Sequence, residues 1–240
     1  MSTTHGVLSD SEIKKAIKQG WIAADAAYLD DQIQPASLDL RLGTTAYRLR
    51  ASFLPGAGAK VADRLDGEMV MHSIDLTKGA VLETGCVYIV PLLESLELPQ
   101  DVEASANPKS STGRLDVFTR VIADGVGAFD QVPHGYHGPL FAEICPQTFP
   151  IVVRKGSRLS QIRFRVGTAA DSDVDLKELH KRERLISTED ADISGGIALS
   201  VDLASAYVLV NGEIVKRAGE PAAFDPRTNA PRIELAVPAG

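Results

Sequence analysis

Two cysteines, Cys86 and Cys145, in 240 residues are too few for a disulfide framework or a cysteine metal cluster. They suit two buried thiols in a reducing cytoplasm. There is no Cys-x-x-Cys and no His-x-Glu, so the ligand set of a zinc nucleotide deaminase is missing. No apolar run reaches the roughly 18 residues a membrane span needs. Met1-Ser-Thr-Thr-His5 lacks the apolar core of a signal peptide. Cationic excess is missing too: 25 Lys and Arg face 32 Asp and Glu, a net charge of −7. Bulk nucleic-acid binding draws its affinity from phosphate neutralisation, so an acidic chain argues against it but leaves room for a small anion site. A soluble cytoplasmic protein with no membrane or nucleic-acid partner is the resulting expectation.

What is present, 44% hydrophobic residues, is enough for a sizeable core. Ser9-Asp-Ser-Glu12 is a capping box. Ile13, Ala16 and Ile17 follow at helical spacing, and Gly20 fits the stop, with Trp21 and Ile22 packing beneath. From about Ser37 short apolar runs alternate with Gly, Pro and Asp, as in Val87–Leu92, Phe118–Ile122, Leu140–Ile144 and Leu159–Phe164. Period-two alternation predicts many short strands, a barrel or jelly-roll-like β domain, with Pro55–Gly58 as a loop and Lys60–Gly67 as a polar neighbour. The strand texture ends near Val166. The domain reading is 1–169, then a charged linker or helix over 170–190, then a partial second β unit over 191–240. Within that unit Asn211-Gly212 suits a type I′ hairpin turn. Ser200-Val-Asp-Leu203 echoes Ser37-Leu-Asp-Leu40, and a truncated end at Gly240 is part of this expectation.

Two segments stand out chemically. Asn107-Pro-Lys-Ser-Ser-Thr-Gly-Arg114 packs two cations, three hydroxyls and a glycine into eight residues, a composition suited to phosphate oxygens or to a solvated polar turn. Glu143 stands 29 residues beyond Arg114 in an apolar strand, on the same face as Phe141. An outward face would make Glu143 a surface carboxylate. An inward face would demand a partner and could make it a proton carrier. His134 and His137 bracket Gly135-Tyr136 without a third ligand at metal spacing, so they read as surface histidines. Asp39 and Arg41 read as ion-pair residues.

With Gln34-Pro-Ala-Ser-Leu-Asp-Leu-Arg-Leu-Gly43, these segments resemble the dCTP deaminase branch of the dUTPase-like superfamily over roughly residues 7–166. The resemblance implies a mainly β, dUTPase-like distorted barrel or jelly-roll with an N-terminal helix and a C-terminal β extension. It implies that Ser110 and Arg114 take the places of the family's active-site Ser and Arg, and Glu143 that of the Glu that activates water. Ala123 takes the place of the Ala whose backbone helps hold water or base. Lys109 stands where Arg is common, and Lys109, Ser111 and Gln161 would hold phosphates. The implied reaction is deamination of dCTP to dUTP and ammonia, without zinc, with Mg2+ arriving on the triphosphate and a homotrimer as the working form. A bifunctional deaminase–diphosphatase, a plain dUTPase, and a non-catalytic nucleotide-binding regulatory module are the alternatives. The chain departs from the family in Asp124–Tyr136, which is longer than the hairpin that normally carries the sugar-contacting Asp. Anchoring on Gly135-Tyr136 puts Pro133 at that position, and Asp130 could serve through a two-residue bulge. The family's C-terminal lid has no clear counterpart after Val166, and Lys177–Arg184 or the second unit could replace it.

Overall fold

A computed structural model of the chain describes residues 6–65, 67–167, 173–183, 207–210 and 213–216. The chain divides into two compact units, Met1–Ala170 and Asp171–Gly240. In the first, β1 (Gly6–Val7) precedes α1 (Asp10–Lys18), followed by β2 (Ile22–Ala24), β3 (Ile33–Gln34), β4 (Ser37–Leu40) and β5 (Thr45–Leu49). Helix α2 (Val61–Leu65) leads to β6 (Val70–Asp75), β7 (Ala80–Leu82), β8 (Val87–Glu97) and β9 (Val102–Pro108). The helical turn α3 (Ser110–Arg114) is followed by β10 (Val117–Ala123), β11 (Gln131–Val132), β12 (His137–Pro146), β13 (Ile151–Val153) and β14 (Ser160–Val166). In the second unit, α4 (Asp173–Glu183) precedes the antiparallel pair β15 (Tyr207–Val210) and β16 (Glu213–Lys216), with Val210 opposite Glu213. The Asn211-Gly212 turn and the Ser200–Leu203 echo lie outside the described residues.

Helix α1 forms where its cap predicts. The Ser9 amide and Oγ each donate to a Glu12 carboxylate oxygen at 2.8 Å, satisfying an end donor the helix cannot satisfy itself. Gly20, at φ 80°, turns the chain out of the helix while its amide reaches the Ile17 carbonyl at 3.1 Å.

Two antiparallel sheets face one another. The first runs β11-β9-β14-β4-β3, with β1 on β14; the second runs β10-β12-β8-β5-β6, with β2 on β8. Alternation drives Leu38, Leu40, Ala104, Ala106, Ile162 and Phe164 of the first sheet against Tyr88, Val90, Val121, Ala142 and Ile144 of the second. The outer face of the second sheet is also covered. Leu49, Ile89, Ile122 and Phe141 form a smaller core against Val61 of α2. Within the 60–67 stretch, polar on average, Val61–Leu65 is helical because its apolar side chains Val61 and Leu65 have a sheet to pack on. Glu143 lies on this second face, in line with Phe141.

The Asp-x-Arg-Leu-Gly run that begins in β4 and continues beyond it is structural. Arg41 and Glu94 form a buried pair, Nε to Oε1 at 2.7 Å. The remaining guanidinium nitrogens donate to the Ala27 and Ala26 carbonyls, and the Arg41 amide and Gln32 side chain donate to the carboxylate. Tyr28 stacks on Arg41, its hydroxyl pushed up to about 12 by burial and by the Glu94 charge. Gly43 donates to the Pro91 carbonyl at 2.8 Å, so close that a Cβ would sit 2.6 Å from that oxygen. Only a residue without a side chain lets these backbones meet.

Candidate active site

Glu143 is central to β12, opposite Arg120 of β10 and Ile89 of β8. It is 2% exposed. A carboxylate at that depth requires a charged partner, and Arg120 supplies it: Nε reaches Oε1 at 3.1 Å and a terminal nitrogen grips the same oxygen. The other oxygen, Oε2, is buried with no hydrogen-bond partner among the described residues. Arg120 is itself held from three directions. Its terminal nitrogen donates to Ser52 Oγ at 3.0 Å, the Phe129 ring lies 3.4 Å below its guanidinium carbon, and the Phe118 ring lies 4.8 Å away.

Asp130 stands beside this pair. Its backbone takes φ 61°, its amide donates to the Val121 carbonyl at 2.8 Å, and its Oδ1 accepts the Val121 amide at 2.7 Å. Burial raises its carboxyl above the ordinary range; the Val121 bond and Arg120 oppose that, and the Glu143 charge adds to it. The folded state therefore holds the Asp130 proton more tightly than the unfolded chain. Ionised Asp130 costs stability at neutral pH, and the cost vanishes as pH falls below the ordinary Asp range. Asp130→Asn, tolerated at positive φ and still able to accept from Val121, is expected to melt no lower than the parent at pH 7, with any advantage lost near pH 3. If Asp130 also meets the sugar hydroxyl, KM for the nucleotide rises in the same variant; thermal melts at both pH values and steady-state kinetics check both parts.

The hairpin after β10 is pinned from below. Ala123 is fully buried, opposite Leu140. Tyr136 is buried; its hydroxyl donates to the Pro139 carbonyl at 2.6 Å and accepts the Asp124 amide at 3.0 Å, and burial pushes it up to about 12. Tyr136 thus closes the base of the loop, leaving Asp130 and Phe129 as the hairpin residues beside Glu143. Asp124 Oδ1 accepts the Val61 amide at 2.8 Å, which ties the hairpin to α2.

The phosphate-type loop is elsewhere. The Lys109 amide and Thr112 Oγ1 both donate to the Leu159 carbonyl at 2.9 Å, stitching α3 to the entry of β14 in the first sheet. That brings Lys109, Ser110 and Ser111 beside Gln161, which pairs with Asn107 and with Asp39 and accepts from Ser37 Oγ at 3.1 Å. Lys109 Nζ pairs with the fully buried Asp39, whose other near neighbour is Arg158 at 3.5 Å. Ser110, Ser111 and Arg114 are exposed. Among the described residues no hydrogen bond or ion pair joins Ser110 or Arg114 to Glu143. Glu143 is three strand positions, roughly 10 Å, from the β10 end nearest α3, and it faces away from the sheet that holds α3. Within one chain the loop and Glu143 are therefore separate.

Residues 4–168 match the family described as the 2'-deoxycytidine 5'-triphosphate deaminase (DCD) N-terminal domain. The chain belongs to the dCTP deaminase family. A "dCTP deaminase, dUMP-forming" of Methanosphaera stadtmanae is 29% identical over 199 residues, covering 79% of this chain and 98% of its own. Another of that name, from Methanothermobacter thermautotrophicus, is 33% identical, covering 68% and 80%. The solved 2'-deoxycytidine 5'-triphosphate deaminase of Agrobacterium tumefaciens is 54% identical with a TM-score of 0.73; the match covers 85% of this chain and 62% of that one. The chain thus spans about three fifths of the length of that relative.

Several residues around Glu143 and Lys109 escape a reading by motif. Arg120 sits in Phe118-Thr-Arg-Val-Ile122, a largely apolar strand with one cation, as Glu143 sits in an apolar strand with one anion, and the two are directly opposite. Pairing those two anomalies would have found it. Ser52, Phe129 and Arg158 carry no such signal, because only chain folding brings them to the site. His134 pairs with Glu103 at 3.3 Å on the surface, and the free thiols Cys86 and Cys145 are half-buried. No helix among the described residues is long and apolar enough to cross a membrane.

Proposed function

We propose that the first unit converts dCTP and water to dUTP and ammonia, with Glu143 as the proton carrier. The observation that carries this is the state of Glu143: a carboxylate buried in the sheet, one oxygen fixed by Arg120, and Oε2 without a protein partner. A buried lone pair with no donor is a place for a water or a substrate amino group. Oε2 takes a proton from that water as its oxygen adds to C4 of the cytosine. The proton passes to the exocyclic nitrogen, the C4–N bond breaks, and ammonia leaves. Ser110 would position the water, and Arg114 would orient the base and Glu143. The Ala123 backbone would help hold the ring, and Lys109, Ser111 and Gln161 would hold the phosphates.

The separation of α3 from Glu143 supports a site completed by a second copy, whose Ser110 and Arg114 would face this chain's Glu143. Leu115 and Phe118, 51% and 48% exposed beside α3, would be covered in such a contact. A homotrimer working in the cytoplasm is the form we propose. Mg2+ would enter on the triphosphate, held by its oxygens and neutralising their charge. Among the described residues no three His, Cys, Asp or Glu are grouped to hold a metal.

A second reading, hydrolysis onward to dUMP, is favoured by Asp130 beside the Glu143 pair and by the names of the Methanosphaera and Methanothermobacter relatives. Incubation with dCTP and, separately, dUTP in Mg2+, with products resolved by anion exchange, tests both. Formation of dUTP from dCTP is the expected result, and dUMP in either tube would add the second step. No product, with dCTP still raising the melting temperature, would make the chain a nucleotide-binding regulatory module instead.

A further inference from the structure

We infer that Arg120 is a positioning residue for the reaction, holding Glu143 so that Oε2 alone is offered to the reacting water. The inference rests on the deaminase reading and goes beyond it by naming a group that fixes the geometry of the base. An arginine facing a carboxylate often grips both oxygens through its fork. Here Nε and a terminal nitrogen converge on Oε1 alone, and Oε2 is left buried without a donor. This one-sided grip does two things. It prevents rotation of the carboxylate, and it leaves the lone pairs of one oxygen unspent. A guanidinium stays protonated and accepts nothing, so Arg120 cannot replace Glu143 as base.

The grip is itself immobilised by three parts of the fold. Ser52 comes from the connection between β5 and α2, Phe129 from the hairpin beside Asp130, and Phe118 from β10 itself. Phe129 is the closest, its ring centroid 3.4 Å from the guanidinium carbon, a surface a lysine ammonium would use less well. The residue next to it, Asp130, is bonded to Val121, the neighbour of Arg120 in β10. Hairpin and base are thus set by one contiguous group of side chains, and a nucleotide seated in the hairpin meets Oε2 in a fixed direction.

The test is steady-state deamination of dCTP by the full chain carrying Arg120→Ala, Arg120→Lys or Phe129→Leu, with and without added guanidinium ion. Misplacement of a catalytic group by about 1 Å costs about 100-fold, so the alanine variant should lose about that factor in kcat with KM little changed. Lysine should restore part of kcat, and guanidinium should restore part of it to Arg120→Ala but none to Glu143→Gln. Should the alanine chain fail to fold, Phe129→Leu, which keeps the ion pair and removes the stack, should still show a smaller loss in kcat. An unchanged kcat, a loss confined to KM, or a loss that neither lysine nor guanidinium repairs would overturn the role. Wild-type chain that releases no ammonia from dCTP would overturn the deaminase reading and this role with it, a result distinguishable from a normal wild type with an active Arg120→Ala.

Discussion

Glu143→Gln is expected to leave the protein folded and to remove deamination. The substitution keeps the size of the side chain and keeps an oxygen for Arg120 to grip, so the packing against Ile89 and Phe141 is preserved. It replaces Oε2 by an amide nitrogen that can neither take a proton from water nor return one. Removing a general acid–base group typically costs about 100- to 10,000-fold, and this residue is asked to act in both directions. The expected loss is at the upper end, with dCTP binding retained. Ammonia release and dCTP-induced thermal shift, measured on the same preparation, check it. A variant with more than a tenth of parental kcat would remove Glu143 from the mechanism. The same variant tests the shared site. Glu143→Gln and Arg114→Ala chains, each inactive alone, should recover activity when unfolded together and refolded as mixed oligomers, because some sites then join an intact Glu143 to an intact Arg114. No recovery would place both residues in one chain's site.

The largest expected effect on stability is at the buried pair Arg41 and Glu94, far from that chemistry. Arg41→Ala strips a 1% exposed carboxylate of its charge partner and leaves the Ala26 and Ala27 carbonyls without their donor. Breaking such a pair from one side costs about 3–5 kcal/mol, since the remaining charge stays buried. For a domain of this size that corresponds to a fall in melting temperature of roughly 10 °C. Replacing both residues together, Arg41→Met with Glu94→Leu, should cost less than the sum of the single changes, because no orphan charge remains. Thermal unfolding of the three variants measures this. A fall of less than a few degrees in Arg41→Ala would show that water reaches Glu94 and that the network is not closed.

Much of the local structure follows from residue order. The Ser9–Glu12 cap, the spacing of Ile13, Ala16 and Ile17, and Gly20 mark the helix because a helix end has unsatisfied donors and a 3.6-residue period wherever it occurs. Strand period two places Glu143 with Phe141 for the same kind of reason. The motif around Ser110, Arg114 and Glu143 was also legible, since particular residue types at compatible spacings carry it. Depth was not. Whether the Glu143 face looks to water depends on whether something covers the sheet, and the cover is α2, a five-residue helix within a polar stretch whose one fully buried side chain is Val61.

The sequence by itself determined the element types, the family resemblance and the presence of a lone carboxylate in an apolar strand downstream of a cation-rich loop, because these rest on neighbours along the chain. The tertiary structure alone decided which groups meet. It gave Glu143 to Arg120 rather than Arg114, gave Lys109 to Asp39, and used the Tyr136 hydroxyl to close a hairpin. It did so because strand register and loop closure set distances between residues whose separation in sequence carries no information about them.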